Sequence, residues 1–194
     1  MITRNGRLSA LAILVVMFFM LGCSKTKVGD IVSFARYEWR VLAIQEDRML
    51  LITQDVIDLG LFHNTRDDIT WETSNVRSRL SIIYGMAGMR EREQIIEFAN
   101  VNDGNPQYGT PGGNTIMDRV FLLSIAEIYQ YFTDEEDRVA YYNGEPVSWW
   151  LRTPGMVNGY TSFVLENGSI DMRGSVNHQT VLGVRPAMWV KLDI

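Results

Sequence analysis

Residues 148–172 read SWWLRTPGMVNGYTSFVLENGSIDM, which is a series of apolar stretches separated by turn-forming residues. These stretches predict strands over residues 148–152, 160–165 and 170–172. Between the last two, Asn167 and Gly168 both tolerate a positive φ, which favours a tight hairpin with a type I′ turn. The segment therefore indicates a sheet built from antiparallel neighbours.

Further strands are indicated at both ends of the remaining chain. Residues 31–44 and 49–53 are rich in β-branched and aromatic side chains, and Glu46-Asp47-Arg48 separates them as a hairpin turn would. Residues 187–192 alternate between two faces and predict a closing strand.

Helices are predicted between these strands. The first has apolar residues at helical spacing and a candidate cap before them, namely Val76, Leu80 and Ile83 with Ser74 or Thr73. A second is predicted over residues 90–98, and a third opens with a capping box of Ser124 and Glu127 and runs to about Phe132. This order of strands, helices and strands is typical of an α+β domain with a mostly antiparallel sheet.

The N-terminus has the pattern of a signal peptide over residues 1–22. A basic start is followed by an apolar run, residues 8–21, that is shorter than the roughly 18 residues of a permanent membrane helix. The run ends in Met20-Leu21-Gly22-Cys23, which resembles a lipobox. The resemblance implies cleavage before Cys23 and diacylglycerol (palmitate-type chains) on its sulfur. An ordinary secretory signal with a chance cysteine, or an uncleaved helix, are the alternatives.

Processing at this point would leave a short tether, residues 23–27, and one domain, residues 28–194. Of the 18 basic residues, two would be removed and no acidic one, so the mature chain has 16 basic and 23 acidic residues and a net charge near −7. An acidic surface without a basic block argues against nucleic acid as a partner. Since Cys23 is the sole cysteine, the domain is expected to fold without disulfides.

Five sequence blocks point to a family. In chain order they are Gly29-Asp30 with Trp39-Arg40-Val41-Leu42, Thr70-Trp71-Glu72-Thr73-Ser74 with Arg77 and Leu80, Val120-Phe121-Leu122-Leu123-Ser124 with Glu127, Trp149-Trp150-Leu151-Arg152-Thr153-Pro154-Gly155, and Gly183-Val184-Arg185-Pro186-Ala187. The chain resembles, through these blocks, a bacterial domain family of unknown function that is similar to the C-type-lectin-like fold. That group includes formylglycine-generating enzymes and phage tropism determinants. The resemblance implies that the C-terminal strand pairs near the first strand.

Two departures from those relatives limit the chemistry that the resemblance implies. Calcium-dependent lectins bind sugar through a Glu-Pro-Asn or Gln-Pro-Asp loop and a Trp-Asn-Asp strand, whose side chains supply oxygen ligands to calcium. Here Glu145-Pro146 is followed by Val147, and Trp149 is followed by Trp150, so apolar side chains replace those ligands. The formylglycine-generating enzymes use cysteine chemistry, whereas Cys23 is assigned to lipid. We therefore expect no metal, no cofactor and no enzymatic activity.

Other chemical signals are weak. His63 and His178 are the only histidines and are far apart in the sequence, without metal-ligand spacing. The acidic run at residues 134–137 is typical of a solvated helix start, with a calcium site as the less favoured alternative. Asp67-Asp68 near His63 is an equally weak candidate for a cation site. No Gly-x-Ser-x-Gly elbow is present.

Four residues are candidates for ligand binding because aromatic and arginine side chains anchor many interfaces, namely Trp149, Trp150, Arg152 and Arg185. The structural interpretation is preferred. Neighbouring residues of a strand point to opposite faces, so at most one tryptophan should face the main core, and the arginines would donate to loop carbonyls. The loop over residues 102–114, with Tyr108, is the better candidate for contacting a partner, although it could be a passive connection.

The sequence thus favours a membrane-anchored, non-catalytic binding module of the cell envelope whose ligand is an unknown protein or glycan. Its other partner is the lipid bilayer, reached through acylated Cys23. Ser24 rather than Asp after the cysteine favours the outer membrane if the cell has two membranes. A structural or accessory subunit of an envelope assembly, or an unrecognised enzyme, are the alternatives.

Overall fold

The computed structural model describes residues 26–192. The predicted signal peptide, Cys23, most of the tether and the last two residues of the predicted domain lie outside the described residues. Within residues 26–192, no helix has both the length and the apolar character needed to cross a bilayer.

The described chain is an α+β domain, as predicted. Its strands are β1 (Ile31–Phe34), β2 (Tyr37–Gln45), β3 (Arg48–Thr53), β4 (Asp58–Gly60), β5 (Ile95–Ile96), β6 (Phe98–Asn100), β7 (Ile116–Asp118), β8 (Tyr141–Tyr142), β9 (Glu145–Pro146), β10 (Trp149–Pro154), β11 (Tyr160–Val164), β12 (Ile170–Val176), β13 (Leu182–Val184) and β14 (Ala187–Lys191). Its helices are α1 (Asn75–Met86), α2 (Met89–Gln94) and α3 (Ile125–Tyr131), with short 3-10 turns at Trp71–Thr73 and Glu136–Arg138.

Two five-stranded sheets form the frame. The first has the order β1-β2-β3-β14-β5 and the second has the order β12-β11-β10-β13-β4. Neighbours are antiparallel except for β10 and β13, which pair in parallel through Trp149 and Gly183. The closing strand β14 lies between β3 and β5. It therefore shares a sheet with β1 but does not pair with it.

The N-terminal strands form two successive hairpins where the sequence predicted one. The predicted turn between β2 and β3 is confirmed, with Gln45 opposite Arg48. A second turn divides the first predicted strand at Ala35 and Arg36, whose φ angles are 46° and 72°. Because neither residue is of a type that favours a positive φ, composition does not reveal this turn.

The helices follow their predicted caps. The Ser74 hydroxyl accepts from the Arg77 amide at 3.4 Å at the start of α1, and the capping box of Ser124 and Glu127 opens α3. The prediction of helix over residues 90–98 is wrong after Gln94. There the chain turns into β5, which pairs with β14, and then into β6, which pairs with β7.

The turn at Asn167-Gly168 is not the predicted type I′. Only Gly168 has a positive φ, +85°, and its N–H donates to the Leu165 carbonyl at 2.9 Å. A Cβ on Gly168 would lie 1.8 Å from the Glu135 carbonyl oxygen, so close backbone approach also requires glycine here. The type I′ turn occurs instead at Asn143-Gly144, which joins β8 to β9 with φ values of 54° and 87°.

The expectation that at most one of Trp149 and Trp150 faces the core is wrong. Both side chains are fully buried, and both belong to the same continuous apolar cluster. The two residues do point to opposite faces of β10, but both faces of this strand are covered. In a strand that is buried on both sides, alternation does not place every second side chain in solvent, so both tryptophans can be buried.

Candidate functional site

Trp149 and Arg185 lie where the chain passes from one sheet to the other. Arg185 is in the two-residue link between β13 and β14, and its guanidinium lies 5.0 Å from the Trp149 ring centre. It donates to the carbonyl oxygens of Thr53, Gln54 and Arg138 at 3.0, 2.9 and 3.1 Å. Trp149 Nε1 donates to the same Arg138 oxygen at 3.0 Å. Burial lowers the pKa of Arg185 to about 9, so the side chain stays charged at neutral pH.

Trp150 is enclosed on the opposite face of β10. Its Nε1 donates to the Gly60 carbonyl oxygen at 2.8 Å. Its ring contacts Phe62 and Phe163 edge-on, with centroids 5.7 and 6.2 Å away. Neither tryptophan is accessible to a ligand in this arrangement, which supports the structural interpretation of both residues.

Arg152 is also buried and links three separate segments. Its guanidinium forms an ion pair with Glu127 through the two terminal nitrogens: Nη1 donates to Oε2, and Nη2 donates to Oε1 at 3.1 Å. It also donates to the carbonyl oxygens of Leu122 and Val101, at 2.8 and 3.1 Å. With only 3% of the Arg152 side chain exposed, these partners leave little of the guanidinium for a ligand.

The loop over residues 102–114 is fixed to the second sheet by two buried asparagines, of which Asn102 accepts from Arg152 Nε of β10 at 3.2 Å. Asn105 Nδ2 donates to the carbonyl oxygens of Pro154 and Met172 at 2.8 and 2.7 Å, and its Oδ1 accepts from the Tyr108 amide at 3.1 Å. The Tyr108 side chain is itself 40% exposed. Of the five predicted binding residues, Tyr108 alone is accessible.

A polar cleft of about 450 Å³, here called the His178 cleft, was not singled out from the sequence. It is lined by residues 66–68, 158–160, Val176, His178 and Gln179. Long-range backbone contacts bring these segments together. Tyr160 pairs with Val176 across β11 and β12. The chain then continues so that the Asn177 amide donates to the Gly159 carbonyl at 3.0 Å.

The second histidine lies next to this cleft. The His63 amide donates to the Asn177 carbonyl at 3.1 Å, so His63 is joined to the segment that carries His178. The Thr65 hydroxyl is 2.9 Å from His63 Nε2 and 2.6 Å from Asp67 Oδ2. An ionised carboxylate only accepts, so the hydroxyl proton lies toward Asp67 and the hydroxyl oxygen accepts from Nε2–H. In the neutral imidazole, Nδ1 is then the acceptor.

Polar atoms without partners gather beside the cleft. His63 Nδ1 and both side-chain amide atoms of Asn177 are buried and have no hydrogen-bond partner within the described protein. Asn177 is 1% exposed and stands between Val176 and His178, which line the cleft. A buried polar group without a partner costs about 1–3 kcal/mol. Because these atoms are enclosed by protein, they do not face the cleft, and a buried water is the partner that would satisfy them.

The charges of the cleft are mixed. Arg66 provides a cation, Asp67 and Asp68 provide carboxylates, and Tyr160 adds an aromatic surface. No group of three histidine, cysteine or acidic residues that could hold a metal ion occurs within residues 26–192. The cleft is therefore suited to hydrogen bonding with an uncharged or zwitterionic molecule.

A second cleft of similar volume has its charges already neutralised. Arg77 Nε is 2.7 Å from buried Asp118, and Arg119 Nη1 is 3.0 Å from Glu97. Asp118 also accepts from Trp71 Nε1 at 2.8 Å. Because these pairs satisfy one another, we place the candidate site at the His178 cleft.

The sequence profile of DUF6273, a domain of unknown function, matches residues 46–192. The chain belongs to the DUF6273 family. This confirms the expectation of an uncharacterised family. No curated protein and no solved structure matches the chain. The DUF6273 region starts in the turn between β2 and β3 and contains the whole His178 cleft.

Proposed function

We propose that this DUF6273 protein is a lipid-anchored, non-catalytic binding domain of the bacterial cell envelope, and that the His178 cleft takes a small polar ligand. The observation that carries the binding site is the open polar cleft itself, whose walls bring Arg66, Tyr160 and His178 together from three separate segments. The lipobox-like Gly22-Cys23 after a short apolar run supports the anchor.

Binding is favoured over catalysis by the direction of the Thr65 proton. The exposed Thr65 hydroxyl donates to the Asp67 carboxylate, which is a weak base, so the His63 imidazole does not receive its proton in this arrangement. The third group that would orient the imidazole is also missing, since Nδ1 has no partner in the described protein. The three side chains are therefore arranged as a hydrogen-bond chain that fixes the cleft wall.

We also infer a divergent form of the C-type-lectin-like fold. The five sequence blocks support it, as does the position of β14 in the same sheet as β1. The order of that sheet separates the two strands by β2 and β3. An experimental structure compared with lectin-like domains would test this inference.

The binding proposal is tested by calorimetric titration of the detergent-solubilised full chain with a panel of neutral sugars and free amino acids. We expect at least one class to bind, and His178→Ala and Arg66→Ala to weaken it. Loss of a hydrogen bond to a charged group is worth about 1.5–3 kcal/mol, which is a roughly 10- to 100-fold loss of affinity for Arg66→Ala.

Arg90→Ala is the matched control, because Arg90 is an exposed arginine that does not line the cleft. It should leave the affinity unchanged. Failure of every compound to bind, or equal binding by wild type and both cleft variants, would contradict a ligand site in the His178 cleft.

A further inference from the structure

An apolar trough runs along one side of the domain, beginning at its first strand. It consists of two neighbouring depressions of about 410 and 200 Å³ that share Tyr37 and Ile57. Ile31 of β1 lines the first depression, and Ile82 and Met86 of α1 line the second. We call this surface the apolar trough.

The rim of the trough exposes large apolar side chains. Ile82 is 60% exposed and Met86 is 41% exposed, whereas Leu80 and Ile83, which line the same depression, are buried. Met89 at the start of α2 is 80% exposed; it lines neither depression, but its helix adjoins the turn between β1 and β2, where the Ala35 amide donates to Glu91 at 3.2 Å. Exposed apolar residues grouped in this way mark contact with a partner or a membrane more often than those scattered singly.

The chain before β1 limits where a lipid anchor can be. The Lys27 amide donates to Asp30 at 2.8 Å and the Gly29 amide donates to Val41 at 2.8 Å, so the chain is attached to the sheet from Lys27 onward. Four residue steps separate Lys27 from Cys23, which span at most about 14 Å when fully extended. A compact domain of this size has a radius of gyration of about 15 Å and hence a breadth of about 40 Å. With Cys23 acylated, Lys27 and the start of β1 would therefore lie within about 14 Å of the bilayer surface, which favours a membrane-facing side that includes β1.

We propose that the apolar trough lies against the membrane, with Ile82, Met86 and Met89 at the boundary between headgroups and acyl chains. This inference rests on the lipid anchor of the proposed function. Acylation supplies the attachment, and the trough sets the orientation of the domain. Apolar side chains on an amphipathic surface enter this boundary by about 5–10 Å.

The acidic groups near the trough belong at the level of the headgroups, because only Asp58 is paired with a cation, and hydrogen bonds from neutral donors leave the charges of Glu38 and Asp55 in place. Asp58 pairs with Arg79, Glu38 accepts from the Ser33 hydroxyl, and Asp55 accepts from the Tyr141 amide at 3.1 Å. Arg36 is exposed and also lines the trough, where a headgroup phosphate would meet it, whereas Arg79 is already paired with Asp58.

The test uses spin labels on the full, lipidated chain in phosphatidylcholine vesicles. Because Cys23 is the sole cysteine and is acylated, Ile82→Cys and Met89→Cys each introduce a single labelling site. The control is Gln107→Cys, an exposed position in the loop that Asn105 fixes to β12, the edge strand farthest from β4 in the second sheet. Collision rates with oxygen and with a water-soluble nickel chelate are then compared.

We expect the ratio of oxygen to nickel collisions to be roughly threefold or more higher at positions 82 and 89 than at 107, because apolar burial favours oxygen and excludes the chelate. Equal ratios at all three positions in lipidated protein would overturn the inference and leave the anchor intact. A chain without acyl groups would instead contradict the proposed function itself.

Discussion

Arg152→Ala should destabilise the domain strongly, because the arginine is the shared partner of three segments. The substitution leaves the Glu127 carboxylate, whose side chain is 17% exposed, without its cation. It also removes donors from the carbonyl oxygens of Leu122 and Val101. Breaking one side of a buried ion pair typically costs about 3–5 kcal/mol. For a domain of this size, each kcal/mol lowers the melting temperature by about 2–4 °C, so a fall of roughly 6–20 °C is expected.

The assay is thermal unfolding of the detergent-solubilised protein followed by circular dichroism, with Glu127→Gln and the double variant completing a cycle. Removing the Glu127 charge should make Arg152→Ala less harmful, with a coupling of about 1 kcal/mol or more between the two sites. A melting temperature within about 2 °C of wild type for Arg152→Ala would refute the structural role. If such a variant also lost a ligand, Arg152 would be a binding residue.

Three further outcomes are expected. Trp149→Ala should lower the free energy of unfolding by about 3–5 kcal/mol and give unstable or insoluble protein, because removal of the buried indole leaves a cavity. Soluble protein with a wild-type denaturant unfolding curve would contradict this. Arg185→Met should lower the free energy of unfolding by about 2–6 kcal/mol, because the carbonyl oxygens of Thr53 and Gln54 each lose their donor at a cost of about 1–3 kcal/mol. Urea unfolding measures this loss. EDTA should shift the melting temperature by less than about 2 °C, whereas a fall above about 5 °C would reveal a structural ion.

The elements that the sequence predicted well are those with local signals. Ser74 and the Ser124–Glu127 capping box bond to amides within three residues, so the side chains that start α1 and α3 are adjacent to them in the sequence. The helix prediction for the segment after Gln94 was wrong because β5 forms by pairing with β14, which lies almost 100 residues away in the sequence. Tertiary pairing overrode a helical pattern that was locally acceptable.

The turns show the same limit. In residues 26–192, Asn-Gly occurs at 143–144, 158–159 and 167–168, and only the first has a positive φ at both residues, as a type I′ turn requires. At 167–168, the approach of the Glu135 backbone determines the geometry, and that neighbour is distant in the sequence. Burial of both faces of β10 likewise depends on Phe62, Phe163 and Arg185, which come from other segments.

The candidate site was missed because its residues are spread over more than 100 positions. His63 and His178 have no spacing that suggests a site, and they come together only through the backbone contact of His63 with Asn177. An asparagine whose amide is buried without a partner has no sequence signal at all. By contrast, Arg152 and Arg185 were conspicuous in sequence, and the structure shows that their donors are taken by carbonyl oxygens and by Glu127.

The most direct test of the proposed function is metabolic labelling of the expressed protein with radioactive palmitate, in wild type and in Cys23→Ala. We predict that the wild-type chain incorporates label and floats with membranes, because two or three acyl chains give a lasting anchor. Cys23→Ala should incorporate none and remain unprocessed or appear in the soluble fraction. Equal palmitate incorporation by the two proteins, or a wild-type chain without label, would contradict the proposal.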